Sequence, residues 1–344
     1  MAELSEKFKR LASASGRHIQ CRIRVGAVTF TDDSIIKFDL ADIAHPDWFT
    51  IGTSCPNEFS FTVRTNTEFV LHTSVIPSIS FDGEEWVQMG KFYITKRYIR
   101  GDYATIVCYD KLYDFETTPV KDTFPLMMYE KSDTLLSSVC FSENIAFKGT
   151  CASYSLPELS YTPMVGELIG FIAAMNGACA KLDRDGDLVF KKYSEMPTKV
   201  ISADNCFRIR RNITRAGISG LRVNTGRDIL RYGANTGLSM VDLYNPYMTQ
   251  EIVDAVGAQL EPLYFYGAEV EMQGLPYLEA GDLMLLEDAD GTTAPIMLSE
   301  IRYHYNGALT AELFSRNKTD DDTVVHRQEF EDALAALWDY VRGK

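Results

Sequence analysis

At 344 residues the chain is longer than one hydrophobic core usually grows, roughly 250–300 residues, so two or more domains are expected. A formal net charge of −14 excludes binding nucleic acid through bulk charge, because phosphate contacts need clustered Lys and Arg. Hydrophobic residues make up 46% of the chain, yet no apolar run is long enough for a membrane span.

The chain starts Met-Ala-Glu-Leu-Ser-Glu-Lys, without the apolar stretch of a signal peptide, so synthesis in a cytoplasm is expected. Leu4, Phe8 and Leu11 share one face at i, i+4, i+7, which predicts a short amphipathic helix within 1–15. Strands should fill the next hundred residues. Phe59, Phe61 and Val63 alternate with Ser60 and Thr62, and 91–99 and 103–110 flank the turn Arg100-Gly101-Asp102. After Tyr113 the character changes. A helix is predicted over 132–142 with Ser132 or Asp133 as N-cap. A second should start at Thr162-Pro163, bury Val165, Leu168, Ile169, Ile172 and Met175, and stop at Asn176-Gly177. A hairpin over 178–182 and 188–192 completes a small α/β unit. β character returns from 201, with a helix near 249–260. Residues 264–316 read as a β-meander turning at Gly281-Asp282, Asp290-Gly291 and Asn306-Gly307. A polar linker then leads to a helix over 324–342. There Phe330, Leu334, Leu337 and Val341 are spaced as a coiled-coil seam, or as the buried face of a helix docked on its own subunit.

No motif names a reaction. The seven Cys have no metal-knuckle spacing, and their odd number suits reduced, buried thiols. The five His never pair at i, i+4, so zinc hydrolysis is unsupported. Gly217-Ile-Ser219-Gly220-Leu221 misses the nucleophile elbow by its last residue. Asp183, Asp185 and Asp187 suggest a calcium loop, but Gly186 stands fourth and position twelve is Ser194, so a hairpin tip explains them better. Arg100-Gly101-Asp102 is turn chemistry before it is an adhesion tripeptide. No metal, cofactor or catalytic constellation is expected, and the chain reads as a non-enzyme. One charge anomaly stands out: Arg208, Arg210, Arg211 and Arg215 cluster in an acidic protein, with Arg222, Arg227 and Arg231 nearby. They suit salt bridges to the chain's own carboxylates, or an interface with an acidic neighbour.

The order of parts resembles a known family. Gly52-Thr-Ser-Cys-Pro-Asn-Glu58-Phe-Ser-Phe-Thr-Val63 is similar to an early strand of phage and prophage tail hub proteins, some of which are labelled tail endopeptidases. Met89 to Thr95 with Ala104 to Tyr113 resembles the hairpin leading into their middle domain. Val165 to Phe190 resembles their middle segment, and Leu275 to Asp282 a turn of their second barrel. The resemblance spans roughly residues 20 to 318. It implies a mainly β fold with an α/β middle domain and two related β-barrels. The expected divisions are 1–113 (helix and first barrel), 114–200 (α/β), 201–318 (second barrel) and 319–344 (linker and C-terminal helix). It also implies a homotrimeric baseplate hub in the virion tail tip. Such a ring would join a distal tail protein and tail-tube hexamer, and would pass the tape-measure protein and DNA in transit. A peptidoglycan hydrolase or endopeptidase, or a carbohydrate-binding adhesin using its many Tyr and its Trp, are the alternatives.

Overall fold

A computed structural model describes residues 4–14, 16–120, 131–157, 159, 161–193, 197, 199–233 and 240–316. Helix α1 (Glu6–Ser13) is capped by Ser5, whose hydroxyl accepts from the Phe8 amide. Its apolar face buries Phe8 against Phe81, with ring centroids 5.1 Å apart. Eight strands follow: β1 (Gln20–Val25), β2 (Val28–Thr31), β3 (Ile35–Ile43), β4 (Glu58–Arg64), β5 (Ser74–Ser80), β6 (Val87–Gln88), β7 (Phe92–Arg100) and β8 (Tyr103–Tyr109). The alternation in β4 puts Phe59, Phe61 and Val63 in the core, as a half-buried strand requires. Arg100 pairs with Tyr103, so Gly101-Asp102 is the two-residue tip of the β7–β8 hairpin, with Gly101 at φ +59°.

The middle of the chain gives α2 (Leu112–Phe115), α3 (Ser132–Ser142), β9 (Phe147–Lys148), α4 (Val165–Met175), β10 (Ala178–Leu182) and β11 (Leu188–Lys192). Two helix starts differ from the sequence reading. Lys131, not Ser132 or Asp133, is the N-cap of α3. Ser132 is already helical and buried; its hydroxyl donates to the Ala152 carbonyl and accepts from the Tyr154 amide. Helix α4 starts at Val165 behind Met164, because the Glu167 carboxylate reaches back to the Met164 amide and closes the first turn there. The expected stripe of α4 is buried, and so is the rest of the helix apart from Glu167. At Gly170 it meets the backbone of residues 50–53: a Cβ there would lie 2.5 Å from the Gly52 carbonyl oxygen. The Gly52 amide in turn donates to Ala178 (2.8 Å) and the Ala180 amide to Thr53 (2.8 Å), tying this loop to β10.

The last part holds β12 (Val200–Ile201), β13 (Cys206–Gly217), β14 (Gly220–Asn224), β15 (Ile229–Gly233), β16 (Met240–Tyr244), α5 (Gln250–Leu260), β17 (Tyr264–Gln273), β18 (Leu283–Glu287), β19 (Thr293–Met297), β20 (Glu300–Tyr305) and β21 (Leu309–Ser315). Strands β14–β16 form their own three-stranded sheet, with Leu221, Val223 and Val241 buried on the side where α5 packs. The segment 264–316 is not a simple meander. β18–β19 and β20–β21 are hairpins, but β17 pairs along its length with β13 and β21.

The protein is mainly β, with few helices. The two expected barrels are not separate closed rings among the described residues. One 15-stranded sheet runs in the order β12-β18-β19-β17-β21-β20-β3-β4-β8-β7-β5-β1-β2, with β13 and β6 branching from it. The physical reason is the pairing of β3 with β20, Leu40 opposite Tyr303 and Phe38 opposite Tyr305. β20 takes the edge of β3 that closure of the first region would need, and β2 is left as a free end. The Phe38 and Tyr305 rings stack 5.2 Å apart across this seam. The apolar core is continuous through both regions. The expected C-terminal helix, with Phe330, Leu334, Leu337 and Val341, lies outside the described residues.

Candidate functional site: an ionic junction and the exposed surfaces

The connection from β17 to β18, residues 274–282, is where the parts of the chain meet. Gly274 lets the backbone pass under Leu309, whose Cγ would lie 2.6 Å from an added Cβ. The buried Tyr303 hydroxyl donates to the carbonyls of Leu275 (2.9 Å) and Leu278 (3.2 Å). Asp42 of β3 accepts from the Ala280 amide at 2.8 Å and pairs with Lys181 of β10, which also donates to the Ala280 carbonyl at 3.1 Å. Arg184 lies 3.5 Å from Glu279 and donates to the Leu278 carbonyl. Asp282 pairs with Lys191 and, at 3.3 Å, with Lys199. Burial alone would raise the Asp282 carboxyl, but the two lysines outweigh it and hold the group below the usual range. A cavity of about 60 Å³ remains between Asp42, Asp110, Lys181, Arg184, Lys191 and Glu279. It has room for water rather than for a cofactor. Beside it, burial pushes Asp110 up to about 7, although the amides of Asn57 and Leu112 donate to it. Lys181, Arg184, Lys191 and Lys199 are each engaged by an anion or a carbonyl, so the cluster locks β3, the β10–β11 hairpin and the 274–282 connection together.

Nearby groups with chemical potential are quenched by burial. His45 is fully buried, with Nε2 2.9 Å from the Tyr193 hydroxyl and Nδ1 without a partner among the described residues; burial lowers its pKa to about 3. All seven cysteines are free. Cys21, Cys108, Cys140 and Cys179 are buried, whereas Cys55, Cys151 and Cys206 are only half-buried, which corrects the expectation of uniformly buried thiols. Burial raises the thiols, Cys55 and Cys140 to about 12 and Cys206 to about 11, opposite to what a nucleophile needs.

The three aspartates do converge, at the tip of the β10–β11 hairpin. Asp183 accepts from the amides of Asp185 (2.9 Å) and Asp187 (3.0 Å), and Gly186 supplies φ +88°. Lys148 of β9 stands where a cation would, 2.8, 3.0 and 2.7 Å from Asp183, Asp185 and Asp187. The carboxylates hold its ammonium well above the usual lysine range.

The predicted arginines lie on the exposed strand β13, and carboxylates of the same chain meet three of them. Arg208 faces Glu271 (2.9 Å) and Arg210 faces Glu269 (3.6 Å) across the β13–β17 ladder. Arg211 reaches Asp288 (2.7 Å) and lies 5.0 Å over the Tyr266 ring. Arg215 lies 4.9 Å over Tyr264. Arg222 pairs with Asp242. The cluster is therefore close to neutral. Sequence reading missed a different surface, the far end of the first β region, where Val28, Ile36, Val70, Leu71, Tyr98, Ile99 and Tyr103 are exposed. Its one sequence signal was adjacent Tyr98-Ile99 beside a turn, where alternation allows only one inward side chain.

No family model matches the chain, and no curated protein matches it in sequence. Solved structures do match. The tail protein from Neisseria meningitidis MC58 superposes with a TM-score of 0.59 at 12% identity, over 88% of this chain and 97% of that one. The 43 kDa tail protein of prophage MuSo2 from Shewanella oneidensis gives 0.57 at 13% identity, over 86% and 98%. A prophage tail protein from Listeria monocytogenes EGD-e gives 0.50 at 11% identity, over 91% and 98%. The resemblance read from the sequence holds at the level of fold: this chain has the fold of phage and prophage tail proteins.

Proposed function

We propose that the protein is a structural component of a phage or prophage tail tip, a subunit of a homotrimeric baseplate hub. In this reading three copies form a ring that joins the distal tail protein and tail-tube hexamer to the tip. The ring passes the tape-measure protein and then DNA, and each copy contributes two related β regions to its wall. The observation that carries the reading is the near end-to-end match in both directions with two tail proteins, since a shared module alone would leave much of one chain uncovered. A non-enzymatic role fits the quenched thiols and the paired charges of the ionic junction. The net charge of −14 suits a channel that phosphate does not stick to.

The test is immunogold labelling of particles released by the host, with antibody against this chain. Label at one end of the tail supports the reading, and particles free of the chain contradict it. Turnover of peptidoglycan by the pure protein would favour the hydrolase, and specific glycan binding the adhesin.

A further inference from the structure

The last strand of the fold directs the chain onto one particular surface. In β21 the inward residues Leu309, Ala311 and Leu313 are buried, whereas Phe314 is half-buried on the outer face, opposite Glu300 of β20. Arg316, two residues on, shares that face. Its guanidinium pairs with Glu300 at 2.7 Å and lies 5.4 Å over the Phe314 ring, and its amide donates to the Ser299 hydroxyl at 3.0 Å. The exit of the chain is therefore pinned beside Glu300.

Glu300 also lines an open groove of about 550 Å³ on the outer face of β20, β3, β4 and β8. Its near end is Glu300 with Ile43, which faces it across the β20–β3 ladder. Ala41, Ile43, Pro46 and Pro56 give it an apolar floor, and each is at least partly exposed. On the far side stand Glu58, Glu116 and Tyr109, whose ring stacks on the exposed Tyr113 at 4.3 Å. The groove's own cations are already held: Arg302 by Glu300, and His304 by Asp39 at 2.7 Å. Glu58 accepts from the Tyr109 hydroxyl at 3.1 Å, and among the described residues no cation pairs with Glu58 or Glu116. An apolar floor with two unpaired carboxylates at one side calls for an apolar helix face that ends in cations.

Residues 317–344 carry that complement. The polar linker 317–323 can reach about 25 Å when extended, enough to bring the chain from β21 into the groove. The helix that the sequence predicts over 324–342 has Phe330, Leu334, Leu337 and Val341 on one face. At 1.5 Å per residue that seam is about 16 Å long. The four strands of the floor, about 4.8 Å apart, are roughly 14 Å across. Arg342 and Lys344 follow the last apolar residue of the seam.

We infer that this segment folds back on its own chain: the seam covers the groove, running from β20 toward β8, and Arg342 and Lys344 meet Glu58 and Glu116. A seam used in this way is closed to pairing with other copies. The contact lies within one chain, so it stands or falls independently of the tail-tip reading.

Carbodiimide coupling of the full chain, on an equal mixture of unlabelled and nitrogen-15-labelled protein, tests it. The wild-type chain should give a peptide joining Lys344 to Glu58 or Glu116, with both halves carrying the same label. Leu334→Asp with Leu337→Asp should lower its yield at least about tenfold, while coupling of Lys148 to Asp185 stays unchanged as the internal control. Ile43→Arg, on the floor, should act in the same way. Should that variant fail to fold, the seam pair decides alone, because it lies outside the sheet. Joined halves with mixed labels overturn the inference, in favour of exchange between two copies. Lys344 joined to other carboxylates, no joined peptide, or a yield indifferent to the seam changes also overturns it.

Discussion

His45 and Asp110 give this protein an unusual pH signature, because burial moves them in opposite directions. The unfolded chain protonates His45 near its ordinary value of 6.5, the folded chain only near 3. The stability linked to it is complete above pH 6.5 and is lost as the pH falls toward 3. Asp110 is the reverse, with an ordinary value of 3.8 and a folded value of about 7, so its contribution is present below 3.8 and lost as the pH rises through 7. Between about pH 4 and 6.5 the two slopes cancel. Asp110→Asn should leave the His45 slope exposed, with stability rising by about 1.4 kcal/mol per pH unit. His45→Phe should tilt the profile the other way. Urea midpoints measured across that range check both, and two flat profiles would show that neither group is dry. None of this was legible in the sequence, where His45 is one of five unpaired histidines.

At the scale of elements, two contacts decide how the middle unit sits on the sheet. Gly170 is a helical glycine, and on an exposed helix Gly→Ala stabilises by roughly 1 kcal/mol. Here the new methyl meets the Gly52 carbonyl, so Gly170→Ala should cost about 2 kcal/mol, as overpacking against backbone does. Lys181→Met takes the buried lysine from the half-buried Asp42 and should cost roughly 2 kcal/mol. Lys181→Met with Asp42→Leu should cost less than the two single changes together, because the shared penalty is counted once. Chemical denaturation of the four proteins measures this. The helices and hairpins were largely readable, because periodicity, the Asn176-Gly177 stop and the Asp-Gly tips are local signals. The starts of α3 and α4 were not: the groups that set them, Ser132 with Ala152 and Glu167 with Met164, answer to packing rather than to propensity. The arginine cluster was visible as a charge pattern. Its carboxylate partners come from β17 and the β18–β19 turn, which only the register reveals.

For the whole molecule, the sequence pattern suggested two β regions but not their fusion. The β3–β20 pairing joins residues some 260 positions apart, and no local signal specifies such a partner. That seam, the ionic junction and the continuous core make one cooperative body of the described residues. Calorimetry should therefore give one unfolding transition for both β regions, where separate barrels would give two. Cryo-electron microscopy of tails purified from the host decides the proposed tail-tip role. Density for this fold is expected at the tip, in three copies arranged as a ring around the tail axis. Tails whose tip density fits other proteins and leaves no place for this chain would contradict it.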